Sequence, residues 1–340
     1  MRKINKPVLC VGEVITDVII DTQKKLSIQQ STERLLTGDE FTDAKGGAAE
    51  LSGGGTVGNV AIALSRLGEK PFFLGKTGND SFGQFSKKNL EKEGIDTRWL
   101  VTDCNKNTLI VICYTDANGD RDGFIYPKTG SASASLTVDD IKPEIFLNIG
   151  MLFTTGISLV EEPICSTALE LMRQCKNRKI PVAFDINLRT NVYGWNKKMK
   201  EIFLEAVDLS DIILGSEKDE FAVISEVGAA SQIIDELVQK GKLVVAKAGP
   251  KGAAIYSKSG GYQMPAFPVN VIDTVGAGDI FNGGFLAAYV QGRHIDECLL
   301  WGSAAAAYSL QFAGAGNAPN SKQLEIFLSR NNISNYRHRE

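Results

Sequence analysis

Acidic and small residues concentrate in one short segment, Asp273-Thr-Val-Gly-Ala-Gly-Asp279, which runs straight into the apolar stretch Ile280–Tyr289. Gly276 and Gly278 allow a tight turn that exposes consecutive amide N–H groups. A helix opening there aims the positive end of its dipole at the same point. The amides around Gly276, Ala277 and Gly278 thus read as an anion hole. Asp279, taken as the first helical residue, puts a carboxylate where a phosphate and an attacking hydroxyl would meet, as a base in phosphoryl transfer requires. A simple helix cap needs only one acid, whereas this segment also supplies the paired glycines and a second acid, Asp273.

Other chemistries lack their residues. Two histidines in the whole chain, His294 and His338, argue against a Ser-His-Asp triad or a histidine-ligated metal. The six cysteines contain no C-x-x-C pair, so neither a zinc site nor a redox motif is indicated, and they read as reduced thiols. With 37 Lys+Arg against 40 Asp+Glu, the net charge of -3 provides no long-range field for nucleic acid or an anionic membrane. The apolar stretch after Pro7 is cut by Glu13 and Asp17, too early for a signal-peptide core, and the expected location is cytoplasmic. The longest uncharged run, Cys298 to Lys322, holds four consecutive alanines and several glycines, which suits a closely packed buried helix better than a membrane span.

The elements that must position these residues follow an α/β pattern. At 340 residues with 43% hydrophobic and 23% charged content, one large domain is the default. From about residue 143, short β-rich runs alternate with helical periodicity, the pattern of a parallel sheet covered on both faces. Met151–Gly156, Val182–Phe184, Asp211–Leu214 and Leu243–Ala246 read as strands, and Pro163 opens a helix with Ile164, Ala168, Leu171, Met172 and Cys175 on one face. In such sheets the strand ends deliver side chains to a common crevice. Val8–Ile20 reads as one strand, and Asp21–Gly47 shows no clear period. Thr108–Thr115, turning at Ala117-Asn-Gly-Asp120 and returning through Gly123–Tyr126, is a hairpin signal. These excursions predict a small β lid spanning about 15–52 and 98–128 on a domain of 1–330, followed by a polar tail, 331–340.

Two glycine motifs point elsewhere and fail. Gly53, Gly55 and Gly58 match the dinucleotide fingerprint, but Asp43 to Ser52 does not read as the apolar strand it requires. Gly75-Lys76-Thr77 resembles the end of a P-loop, but its first glycine would fall on Lys70.

Five segments in order resemble the ribokinase-like, or PfkB, carbohydrate kinase family: Gly53–Asn59, Gly75–Gly83, Phe184-Asp-Ile-Asn-Leu-Arg189, Lys247-Ala-Gly-Pro-Lys-Gly252 and Asp273–Asp279. The resemblance covers roughly residues 8 to 330 and is closest to fructokinases and 2-keto-3-deoxygluconate kinases. It implies a three-layer α/β/α sandwich with a mostly parallel sheet and a β lid. The implied activity is ATP-dependent phosphorylation of a sugar hydroxyl, with fructose favoured over 2-keto-3-deoxygluconate. Asp279 would be the base, the Gly276–Gly278 amides the phosphate cradle, and Arg189 a cation on the substrate or the transferring phosphate. Asp17, Gly54, Gly55, Asn59, Tyr126 and Lys128 would contact the sugar, Lys128 standing where relatives often carry arginine. Lys247, Gly249 and Gly252 would run along the nucleotide, Lys247 replacing a family threonine or serine. Glu217 with Glu220, or Ser216 with Asp219 in the other register, would hold magnesium-bound water within a degraded N-x-x-E segment, and Asp273 resembles a monovalent-cation site. ATP, Mg²⁺ and K⁺ are the implied cofactors, a sugar or sugar acid the partner, and exposed lid edges could pair with a second copy. From other classes, an NAD(P)-dependent oxidoreductase and a non-catalytic sugar sensor remain as alternatives; retention of Asp279 argues against the sensor.

Overall fold

The computed structural model describes residues 3–21, 49–115, 121–225, 228–331 and 338–339. Strand β1 (Val8–Val11) is apolar throughout and wholly buried, so it must lie inside a sheet covered on both faces. Beside it run β4 (Phe72–Gly78), β5 (Asp96–Asp103), β8 (Met151–Thr155), β9 (Val182–Asp185), β10 (Ile212–Ser216) and β11 (Leu243–Lys247). The order is β14-β13-β12-β11-β10-β9-β8-β1-β4-β5, parallel from β5 to β11. The edge formed by β12 (Ala253–Ser257), β13 (Gly260–Met264) and β14 (His338–Arg339) is antiparallel.

Strand alternation divides the core in two. Cys10, Phe153 and Ala183 face one side, where they meet helices α1 (Thr56–Arg66), α6 (Ala277–Val290), α7 (Ile295–Ser309) and α8 (Ser321–Arg330). Leu9, Leu152 and Phe184 face the other, against α3 (Ile164–Asn177), α4 (Lys197–Leu209) and α5 (Ala230–Gln239). Helix α2 (Ser81–Lys92) follows β4 and leads to β5. The result is the three-layer sandwich expected. Each fully buried phenylalanine, such as Phe153 or Phe184, contributes roughly 1.5–3 kcal/mol. Helix α6 is apolar on nearly all sides and buried from Asp279 to Ala288, which fixes its N-terminal turn firmly. Among the described residues no helix is long and apolar enough to cross a membrane.

A separate four-stranded sheet, ordered β3-β2-β6-β7, forms the lid. It comprises β2 (Ile15–Asp21), β3 (Ala49–Gly54), β6 (Leu109–Thr115) and β7 (Arg121–Tyr126). Several sequence readings change here. Val8–Ile20 is not one strand: the chain leaves the body sheet after Val11, bends through Gly12 to Val14, and enters the lid. Residues 98–103 belong to β5, which pairs in parallel with β4, so the second lid segment starts at Leu109. A strand does precede Gly55, but β3 is antiparallel to β2 in the lid and so forms no parallel βαβ unit, which is why the dinucleotide fingerprint fails. Lys76 of the P-loop lookalike is spent on Asp140, 3.0 Å away. Within the polar tail, residues 338–339 add to β13. The turn at 117–120, most of the aperiodic stretch before Gly47, and residues 332–337 and 340 lie outside the described residues.

Candidate active site

Gly276 caps α6 in the left-handed region, φ 76°, and a Cβ there would lie 2.7 Å from the Ala315 carbonyl oxygen. Only glycine meets both demands without moving backbone. The helix therefore begins at Ala277, and Asp279 is its third residue rather than its first. No side chain caps the helix at Gly276. The Asp279 carboxylate instead turns inward, 8% exposed, and accepts a 2.8 Å hydrogen bond from Asn59 Nδ2. Helical geometry leaves the Gly278 and Asp279 amides without partners inside the helix. Burial pushes Asp279 up to about 6; Asn59 opposes this, Asp185 adds to it, and the cations Lys247 and Arg189 pull it down.

Beneath Asp279 the ends of the parallel strands converge. Lys247, closing β11, donates to Asp185 Oδ1 at the end of β9 and to Asn282 Oδ1 on α6, each at 3.1 Å. Burial opposes its charge, but Asp185, Glu220 and Asp279 outweigh that and raise its pKa. The ammonium lies 3.8 Å from where a Gly278 Cβ would stand, so it underpins the amide loop instead of reaching outward. Gly249 (φ 57°) and Gly252 (φ 101°) shape the tight turn after β11.

The degraded segment after β10 also gains a register. Ser216 caps its turn by accepting from the Asp219 amide, and Glu217 and Asp219 are exposed. Glu220 turns inward and accepts from the Ser216 amide at 2.6 Å. Burial, then the Asp185 charge, pushes it up to about 7 against the pull of Lys247. Asp273 accepts from the amides of Val275 (3.1 Å) and Gly314 (2.8 Å), tying the amide loop to the segment after α7. Among the described residues no group of three or more His, Cys, Asp or Glu could hold a metal ion. Glu220, with the Asp185 charge beside it, is the carboxylate this segment offers to a metal ion that brings phosphate and water ligands of its own.

On the lid side, Asp17 lies opposite Ser52 on β3 and is pushed up to about 6 by burial. Gly54 leaves room for it, since a Cβ there would fall on the Asp17 carboxylate. Gly55 starts α1, which carries Asn59, so Asp17, Gly54, Gly55 and Asn59 gather where lid meets body. Tyr126 and Lys128 are exposed, Tyr126 accepting a 3.4 Å bond from Asn107. Arg189 is exposed with φ 47° and lies within electrostatic reach of Asp279 and Tyr193. Under the lid is a cavity lined by Glu13, Leu109, Ile125, Lys128, Ser158 and Tyr193 among others. Glu13 accepts from the Thr56 amide at 2.9 Å. Burial pushes its carboxyl up to about 7, helped by the Asp279 charge. That coupling makes the cavity and Asp279 neighbours.

Sequence reasoning overlooked Asp185, Asn282, Glu13, Ser158 and Tyr193. Asp185 carried a signal, an acid closing an apolar strand inside an already quoted segment. Glu13 had served only as a break in an apolar run. Ser158 lies in the run Thr155–Pro163, which resembles fructokinases but assigns it no role, and Tyr193 had no signal, because only the fold brings it to Glu13.

The profile described as pfkB family carbohydrate kinase matches residues 5–323. The chain belongs to this family. Among pfkB relatives, a 5-dehydro-2-deoxygluconokinase of Clostridium beijerinckii is 32% identical over 264 residues, 75% of this chain and 77% of the relative. A fructokinase of Vibrio alginolyticus is 29% identical over 82% of this chain and 92% of its own. The crystal structure of a fructokinase from Vibrio cholerae O395, with fructose, ADP and calcium bound, superposes with a TM-score of 0.76. It is 26% identical and covers 95% of this chain and 99% of that one. Carbohydrate kinase activity is thereby assigned at family level, on a ribokinase-like fold.

Proposed function

We propose that the chain transfers the γ-phosphoryl group of ATP to a hydroxyl of a ketose, fructose first, with Asp279 as the base. The observation that carries this is the carboxylate of Asp279, buried at the first turn of α6 beside amides that have no partner inside the helix and raised to about 6. At neutral pH it is ionised yet basic enough to take a hydroxyl proton. The Gly278 and Asp279 amides and the helix dipole would hold phosphate oxygens, while Arg189 at the mouth offsets charge that develops during transfer. Mg²⁺ bound with the nucleotide would supply further neutralisation, with Glu220 the carboxylate placed to hold its water. The exposed apolar side chains Val271, Ile272, Val275 and Phe312 flank the loop and suit an adenine ring. Asp273 with nearby backbone carbonyls is the candidate K⁺ position. The buried thiols of Cys10, Cys165, Cys175 and Cys298 suit a cytoplasmic setting. Among the described residues the lid sheet ends at β3 and β7, and these edges, with Ile19, Phe124 and Tyr126 exposed, suit pairing with a second copy.

A sugar acid is the second reading, favoured by the exposed cations Lys128 and Arg189 and by the 5-dehydro-2-deoxygluconokinase relative. The test is ADP formation from MgATP across fructose, ribose and 2-keto-3-deoxygluconate. Fructose-dependent ADP is expected; no sugar-dependent ADP on any acceptor would refute the assignment.

A further inference from the structure

Two buried oxygens on the lid-side cavity have no use in the catalytic arrangement above. Glu13 is 3% exposed and Ser158 is 1% exposed, and both line the same cavity. Among the described residues, Glu13 Oε2 and Ser158 Oγ find no hydrogen-bond partner. The Glu13 carboxyl accepts from the Thr56 amide through Oε1 and is also favoured by the Glu13 and Val57 amides, while Oε2 is the oxygen left over. Ser158 Oγ lies 3.1 Å from where a Cβ on Gly12 would stand, so it sits against the bend that carries Glu13. Leaving such atoms unpaired costs the fold a desolvation penalty, which a ligand that pairs with them can recover.

We propose that Glu13 and Ser158 are specificity-determining residues that read a hydroxyl of an uncharged sugar and turn away acceptors bearing a carboxylate at that end. This rests on the sugar-kinase reading and deepens it. A sugar hydroxyl can donate to Glu13 Oε2 while accepting from Ser158 Oγ, which satisfies both atoms together. A carboxylate offers no proton to an ionised Glu13 and repels it. It would also face a second acid on the same wall, Glu161, which accepts from the Gly130 amide at 3.3 Å. The cations that could offset this, Lys128 and Arg189, are both exposed, where solvent weakens them. Tyr193 stands between the groups, feeling the charges of Glu13, Glu161 and Arg189.

The experiment compares kcat/KM for fructose and for 2-keto-3-deoxygluconate in the wild type, Glu13→Gln and Ser158→Ala, at saturating MgATP. Glutamine keeps an oxygen for the Thr56 amide, and melting curves check the fold of each variant. The wild type should favour fructose. Glu13→Gln should raise the fructose KM by about tenfold or more and lower the fructose-to-acid ratio by a similar factor, because a pocket built for a hydroxyl discriminates through groups left unpaired. The KM for MgATP should move far less. Ser158→Ala should raise the fructose KM in the same direction, and it carries the test alone if Glu13→Gln does not fold. A folded Glu13→Gln with an unchanged ratio, an unchanged fructose KM in Ser158→Ala, or a wild type that prefers the acid would overturn the inference while leaving the kinase reading intact. A wild type that turns over no sugar would remove both.

Discussion

On the body side of the site, Asn59 donates to Asp279 at 2.8 Å, and Lys247 donates to Asp185 and Asn282 at 3.1 Å each while its charge reaches Asp279. On the lid side, Tyr126, Lys128 and Arg189 are exposed, and the buried Glu13 and Ser158 each keep an oxygen unused. The body holds its groups at strand ends and at a helix start anchored in the core. On the lid side only Tyr126 stands on the lid sheet, at the end of β7; Lys128 follows it, and Glu13, Ser158 and Arg189 come from the loops after β1, β8 and β9 that face the lid. The difference separates two tasks. On the proposed mechanism, the groups that act on a proton and a phosphate are tied to neighbours before substrate arrives, although Asn59 Oδ1 and Asn282 Nδ2 stay unpaired among the described residues, whereas those that judge the acceptor are exposed or keep an oxygen for it.

Four outcomes would break or sharpen this contrast. The largest is expected for Gly276→Ala: a Cβ at φ 76° meets the Ala315 backbone, so the amide loop must shift, and misplacement of about 1 Å can cost on the order of a hundredfold in kcat. A kcat within threefold of wild type would show that the loop needs no such precision. Next, Lys247→Met should reduce kcat by about tenfold and also shift its pH dependence. Lys247 pulls the Asp279 pKa down, so its loss raises that pKa and carries the acid limb to higher pH. An unmoved limb would make Lys247 a purely structural residue.

Third, in the wild type the acid limb itself should lie at about pH 6. Asp279 must be ionised to accept a proton, so kcat/KM should be level above neutrality and fall as pH drops through about 6. A limb near pH 4 would point to an unburied carboxylate. The smallest effect belongs to the lid: Lys128→Ala should change the fructose KM by no more than about threefold, since an exposed cation contributes little. A tenfold rise would mean that the lid closes more tightly than its exposed side chains suggest.

How much of this was readable in the sequence follows the same division. The body half was legible because its chemistry is local: Gly276, Gly278 and Asp279 lie within a few residues, and the strands that deliver Lys247 and Asp185 are apolar runs with clear limits. The misplacement of Asp279 at the first helical position was a boundary error, corrected by the left-handed Gly276. The inward turn of Lys247 was not legible, because it depends on Asp185 and Asn282, which lie far away along the chain. The lid was read less well. Residues 98–103 have the β character of a lid strand, yet pair with β4, a choice that sequence period cannot make. β3 is too polar and glycine-rich to announce itself and is a strand because β2 pairs with it. Glu13 and Ser158 meet only because the bend after β1 lies against the turn after β8.

The most direct test of the account is Asp279→Asn, assayed for fructose-dependent ADP formation beside a measurement of fructose binding on the same sample. The asparagine keeps an oxygen for Asn59 Nδ2 while removing the base. Turnover should fall by about two to four orders of magnitude with the fructose Kd changed by less than about threefold. Turnover within tenfold of wild type, with fructose still bound, would contradict the assignment of Asp279 as the residue that takes the proton.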